Sequence, residues 1–137
     1  HQDDVLAGKQ VYLLRNESKR GLGFFEANNF YPDFILWILD GEKQYITFID
    51  PKGIRNLKGL EDDKIQLFKY LQTEVSSQLG NAHLMLNSFI ISNTPMEQVE
   101  FWLKNPFEKG EFQKNHVLFK DDKGYLETMV DMILQYM

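Results

Sequence analysis

The chain has no cysteine in its 137 residues. A disulfide framework, a thiolate zinc site and a cysteine nucleophile are therefore excluded. Proline (4) and glycine (9) are scarce, which excludes collagen-like and low-complexity architecture. No apolar run approaches the ~18 residues that span a bilayer. Basic residues are in deficit, with 15 Lys+Arg against 20 Asp+Glu and a formal net charge of −5. A protein that coats nucleic acid indiscriminately has the opposite balance, whereas a local site in which a metal ion neutralises acid is compatible with this one. No G-x-x-x-x-G-K-[ST] loop occurs, so the chain carries no motor site of its own. No G-x-S-x-G occurs either, which removes the commonest cue for a serine hydrolase. His83 and His116 are isolated, lack metal-ligand spacing and read as structural. What is present is 43% hydrophobic and 14% aromatic, too apolar for disorder and enough for the core of a single domain, 1–137. The chain opens on His1-Gln2, without Met or a basic-plus-apolar leader. The expectation is a piece of a larger intracellular protein, with the cytoplasm as the default location.

Val11-Tyr12-Leu13-Leu14 reads as a short strand. Asn16 to Gly23 reads as a turn or loop, after which Phe24-Phe25 could extend a hairpin. Phe34 to Leu39 is a near-continuous apolar run, too short for a helix and followed by the turn signal Asp40-Gly41. Tyr45 to Ile49 is the returning strand. Both strands are apolar on both faces, as in a central strand covered by helices. From 61 to 79 the period changes, and Ile65, Phe68, Leu71, Val75 and Leu79 recur at helical spacing. Glu61, Asp62 and Asp63 are placed in the first turn, where the dipole favours anions, and Gly80 closes the helix. Residues 84–91 form a further strand. Thr94-Pro95-Met96-Glu97 is a capping box with proline at the first helical position, opening a helix through Trp102-Leu103. Residues 105–115 read as a loop, His116 to Phe119 as a short edge strand, and Leu126, Met129, Val130, Ile133 and Leu134 as a final amphipathic helix. The order β-β-β-α-β-α-(β)-α predicts an α/β fold: a mixed sheet begun by an antiparallel meander and flanked by helices.

The chemistry concentrates between Pro32 and Gly53. Pro32-Asp33 opens one strand and Asp50-Pro51-Lys52 closes the next. If 40–43 form the loop, Leu39 faces Gln44 and Asp33 faces Asp50. If Asp40-Gly41 alone form it, Asp33 faces Phe48, with Asp50 as its diagonal neighbour. Side chains alternate with period 2, so both registers put the two aspartates on one face. Lys52 joins them if the chain stays extended, and an odd loop length would break the geometry. Pro51 donates no hydrogen bond and is expected to end the ladder, leaving Asp50 at a sheet margin and the Pro51 carbonyl as a further oxygen ligand. Two carboxylates held this close repel unless a hard cation joins them. Mg²⁺ takes one or two carboxylates with waters and substrate phosphate, and a neighbouring ammonium can orient water and offset developing charge.

Pro32-Asp33 followed by Asp50-Pro51-Lys52 resembles the PD-(D/E)xK, or restriction-endonuclease-like, nuclease superfamily. The resemblance is closest to the C-terminal nuclease domain of type III restriction subunits and related DEAD/DEAH-box helicase proteins. It covers most of the chain: Val11 to Asn16, the phrase Phe30 to Trp37, Phe48 to Gly53, and the late Asn115 to Phe119 with the following helix. It implies a restriction-endonuclease-like sheet, a DNA substrate, Mg²⁺ or Mn²⁺, Asp33 and Asp50 as metal ligands, and Lys52 as the catalytic lysine. It also implies partners: the helicase/ATPase region of the same polypeptide and a modification subunit. Three other acid-x-Lys triplets occur, at Glu17-Ser18-Lys19, Asp62-Asp63-Lys64 and Asp121-Asp122-Lys123, but none ends an apolar strand.

Many members carry a further acid on a helix before the first strand. The ten residues before Val11 show no helical apolar stripe, so Glu26, ahead of Glu17, is the candidate for that role. Gln66-x-x-x-Tyr70 shares one helical face and is similar to a Gln-x-x-x-Tyr feature of the exonuclease-type branch, where it supports the site; the rival reading is a polar pair on an amphipathic helix. Arg15, Lys19, Arg20, Arg55 and Lys58 are candidates for contact with the DNA backbone. Trp37 and Trp102 read as core. The leading expectation is a Mg²⁺-dependent DNA endonuclease domain that binds DNA weakly without its motor. The alternatives are a non-cleaving DNA-binding or subunit-docking domain on the same fold, and a nuclease for RNA or single strands.

Overall fold

The computed structural model describes residues 6–16, 31–52, 59–95 and 109–135. Among them, five strands form one sheet in the order β1 (Gln10–Arg15), β2 (Phe34–Asp40), β3 (Lys43–Lys52), β4 (Leu84–Ser92) and β5 (Val117–Phe119). The first three run antiparallel as a meander, while β4 is parallel to β3 and β5 to β4. The fold is thus the mixed α/β arrangement that the pattern predicts. Its helical segments are α1 (Leu67–Tyr70), a π-helical turn (Leu71–Val75), α2 (Ser76–Leu79), α3 (Lys109–Lys114) and α4 (Tyr125–Gln135). No helix among the described residues is long and apolar enough to cross a membrane.

Two-sided burial follows from the doubly apolar strands. One face carries Ile35, Phe48, Leu86, Ile90, Val117 and Phe119 beneath Ile65, Leu67, Leu71 and Phe112. The other carries Leu36, Ile38, Tyr45, Ile49, Phe89, Ile91 and Leu118 beneath Met129 and Ile133 of α4. Burial of each such side chain contributes about 1.5–3 kcal/mol. β1 is the exception. Val11, Tyr12, Leu13 and Leu14 are all exposed, because β1 pairs with β2 on one side only and no described element packs over it.

The β2–β3 hairpin takes the register in which Leu39 faces Gln44, but the loop is tighter than four residues: Asp40 pairs with Lys43 and only Gly41-Glu42 lie between. Gly41 has φ 61, and it alone of the two central residues has positive φ. That is the sign pattern of a II′ turn, whose twist matches the flanking strands.

Three expectations need correction. The helix expected over 61–79 begins at Leu67; Glu61 to Asp63 lie in the preceding turns, held by Ile65 and Gln66 N–H bonds to the Asp62 carbonyl. The π-helical turn also shifts the helical phase, so Leu79 is exposed instead of continuing the apolar stripe. The loop expected over 105–115 contains α3, anchored by the fully buried Phe112 against Phe119. One aromatic at an otherwise polar position is too little periodicity to announce a helix. The ladder does not end at Pro51: pairing with β2 stops at Ile49, while pairing with β4 runs to Lys52. A proline removes a donor on one side of a strand only. The loop at 17–23, Phe24-Phe25, the capping-box residues after Pro95 and the helix through Trp102 lie outside the described residues.

Candidate active site

β1 leaves the sheet, β2 enters it and β3 parts from β2 at the same end. The registers Arg15 to Phe34 and Phe34 to Ile49 make the next rung Asn16, Asp33 and Asp50. That rung is irregular. Asn16 N–H donates to the Asp33 carbonyl at 2.7 Å, continuing the β1–β2 ladder. Asp33 N–H turns instead to Asp50 and donates to its carboxylate Oδ1 at 3.0 Å. The sequence therefore places the two aspartates opposite each other across β2 and β3, in the first of the two registers considered.

Asp50 lies on the face shared with Phe48 and is 4% exposed. A buried carboxylate is costly unless donors face it, and the Asp33 N–H is one such donor. Asp33 is half-buried. Asn16 is buried and its Nδ2 donates to the Pro32 carbonyl at 2.8 Å. Lys52 is the last residue of β3, two beyond Asp50 and in register with Ser92; its side chain lies outside the described residues.

No group of three or more His, Asp or Glu side chains gathers among the described residues. Asp33, Asp50 and the Pro51 carbonyl are nevertheless an all-oxygen set. They fit Mg²⁺ or Mn²⁺, which take few protein ligands and complete their shell with water and substrate oxygens. A carboxylate has about four lone-pair positions, so the bond from Asp33 N–H does not exhaust Asp50.

Other candidates separate from this rung. Gln66 Nε2 donates to the Leu60 carbonyl and to Asn115 Oδ1, the latter at 2.8 Å. Tyr70 packs against the core. The pair thus ties the start of α1 to the residue before His116, and no hydrogen bond joins it to Asp33 or Asp50. Gln66 Oε1 is buried without a partner. Arg15 is exposed at the end of β1, its guanidinium 5.3 Å above the Phe34 ring, one residue from Asn16. Trp37 is half-buried and its Nε1 donates to Gln44 Oε1 at 3.2 Å. Glu17, Lys19, Arg20, Glu26, Arg55, Lys58 and Trp102 lie outside the described residues. His83 is exposed beside Glu42. His116 is buried between Phe68 and Phe89, with ring centroids 3.7 and 4.5 Å away.

Asn16 is the residue that the sequence pattern did not single out for a role. An asparagine directly after an apolar strand is a usable signal, because its amide readily bonds nearby backbone, but only the fold shows that this backbone is Pro32-Asp33. No protein-family model, curated protein or solved structure matches the chain.

Proposed function

We propose that the chain is a metal-dependent DNA endonuclease domain of the PD-(D/E)xK type, acting in the cytoplasm as part of a restriction or helicase-nuclease protein. One observation carries this reading. Asp33 and Asp50 meet across the β2–β3 hairpin, joined by the 3.0 Å bond, and Lys52 closes the same strand. Asp33, Asp50 and the Pro51 carbonyl are the residues that would hold Mg²⁺ or Mn²⁺. When bound, the cation supplies Lewis acidity and a water of lowered pKa. The Lys52 ammonium orients the attacking water and offsets negative charge that develops on the phosphate. Arg15 stands at the same end of the sheet to meet the phosphate backbone, and Lys19, Arg20, Arg55 and Lys58 add to it from the neighbouring segments. The net charge of −5 supports loading onto DNA by the helicase/ATPase region of the same polypeptide, since few phosphates can be neutralised by this domain alone.

The test is nicking of supercoiled plasmid with Mg²⁺ or Mn²⁺ by the native chain, Asp50→Ala and Lys52→Ala. Nicking that requires metal and vanishes in both variants is the expected result. Nicking that persists in either variant refutes the assignment. A native chain that binds Mn²⁺ and DNA but leaves every substrate intact favours a non-cleaving DNA-binding or docking domain.

A further inference from the structure

We propose that Asn16 is a positioning residue that sets both aspartates at once; the inference rests on the metal-site reading above. The argument concerns a single peptide unit, the one between Pro32 and Asp33. Its carbonyl accepts from Asn16 Nδ2 at 2.8 Å. Its N–H donates to Asp50 Oδ1 at 3.0 Å. In a trans peptide those two groups point in opposite directions, so Asn16 and Asp50 grip the unit from its two ends. Asn16 N–H holds the next carbonyl, that of Asp33, at 2.7 Å.

This grip matters because little else fixes the segment. Asp33 precedes the first residue of β2, Pro32 has no N–H to contribute, and β3 no longer pairs with β2 beyond Ile49. Rotation of the 32–33 peptide would swing the Asp33 side chain and withdraw the donor from buried Asp50 together. An amide suits position 16 because the Pro32 carbonyl accepts only. An aspartate there would set a carboxylate against that carbonyl and add a third negative charge beside the pair.

Two readouts on the full chain test this without cleavage. The first is hydrogen exchange of the Asp33 amide in the metal-free state. The second is Mn²⁺ affinity, read as free Mn²⁺ by electron paramagnetic resonance. Asn16→Ala is expected to speed exchange at Asp33 while leaving Ile35 to Ile38 protected, and to weaken Mn²⁺ binding by about tenfold, the scale of one lost hydrogen bond. Asn16→Ser takes the same two measurements should Asn16→Ala fail to fold. Unchanged Asp33 exchange, or native Mn²⁺ affinity in the variant, overturns the positioning role. A native chain that binds no Mn²⁺, or Asp50→Ala that binds it as the native chain does, overturns the metal site itself and the inference with it. A merely structural Asn16 would lower the melting temperature and slacken all of β2 without singling out Asp33.

Discussion

His116 offers the most quantitative test of the packing. It has φ 62, the one positive value at a non-glycine among the described residues. Its ring is stacked on Phe68 and Phe89, and Nδ1 lies 3.0 Å from the Ser88 carbonyl. A carbonyl cannot donate, so Nδ1 carries the proton of the neutral imidazole. Burial lowers the pKa from 6.5 to about 4, against a smaller opposing effect of the Ser88 bond. The sign follows directly. The unfolded chain takes up the proton near pH 6.5 and the folded chain only near 4, so this contribution to stability is whole above pH 6.5 and is lost as pH falls toward 4. Linkage gives a loss of about 2 kcal/mol by pH 5, a large share of a typical 5–15 kcal/mol total. Urea unfolding from pH 8 to pH 5 measures it, with His116→Asn as reference. Asparagine tolerates the left-handed backbone and does not titrate. The native chain should lose about 2 kcal/mol more than the variant over that range. Parallel stability curves would refute the reasoning.

Phe112→Ala should lower stability by about 3–5 kcal/mol, because a fully buried ring is replaced by a cavity; the urea midpoint should fall with an unchanged slope. Gly41→Ala should lose about 1–2 kcal/mol, the penalty of a left-handed residue with a Cβ, although no atom lies within 4 Å of the added carbon; Gly41→Asn should lose less in the same assay. Mn²⁺ at a hundredfold excess over its dissociation constant should raise stability by about 2.7 kcal/mol, chelation should reverse the gain, and Asp50→Ala should show neither effect in a thermal scan.

Legibility in the sequence tracked the strength of local periodicity. β2, β3 and β4 were readable because Phe34 to Leu39, Tyr45 to Ile49 and Leu84 to Ile91 are dense in large apolar residues between turn signals, and the meander followed from the short Asp40-Gly41 connection. The opposition of Asp33 and Asp50 was readable because it needs only strand alternation and an even loop. α3 was hidden because Phe112 is its one buried residue amid Lys109, Glu111, Gln113 and Lys114. The π-helical turn was hidden because a five-residue backbone shift leaves no mark in a 3.6-residue pattern until Leu79 emerges exposed. The diversion of Asp33 N–H from the ladder to Asp50 was hidden because hydrogen-bond direction at a strand end depends on neighbours distant in sequence. Asn16 is 17 residues from Asp33, and only the register of β1 on β2 brings them together.

The location of the rung has its own logic. β3 and β4 are parallel, so their carboxyl ends lie on one side of the sheet, where open α/β sheets place ligands. β2 is antiparallel to β3, so its amino end lies on that same side and delivers Asp33 to Asp50. The β4 ladder that continues to Lys52 keeps β3 in place past the point where β2 departs. Asp50 is thereby held rigidly on one flank while the other flank opens beside Asp33. A regular β2 would have covered that flank with main chain; the bend at Asp33 leaves a carboxylate there instead. The proline that looked like the end of the ladder is consistent with this one-sided departure, since a missing donor weakens one neighbour and spares the other. On this view, restoring a donor with Pro51→Ala should not remove the site but should extend β2–β3 pairing. Slowed amide exchange at residue 33 or 51 in that variant is the expected sign, and exchange unchanged at both would show that Asn16 and Asp50, and not the proline, determine where the strands part.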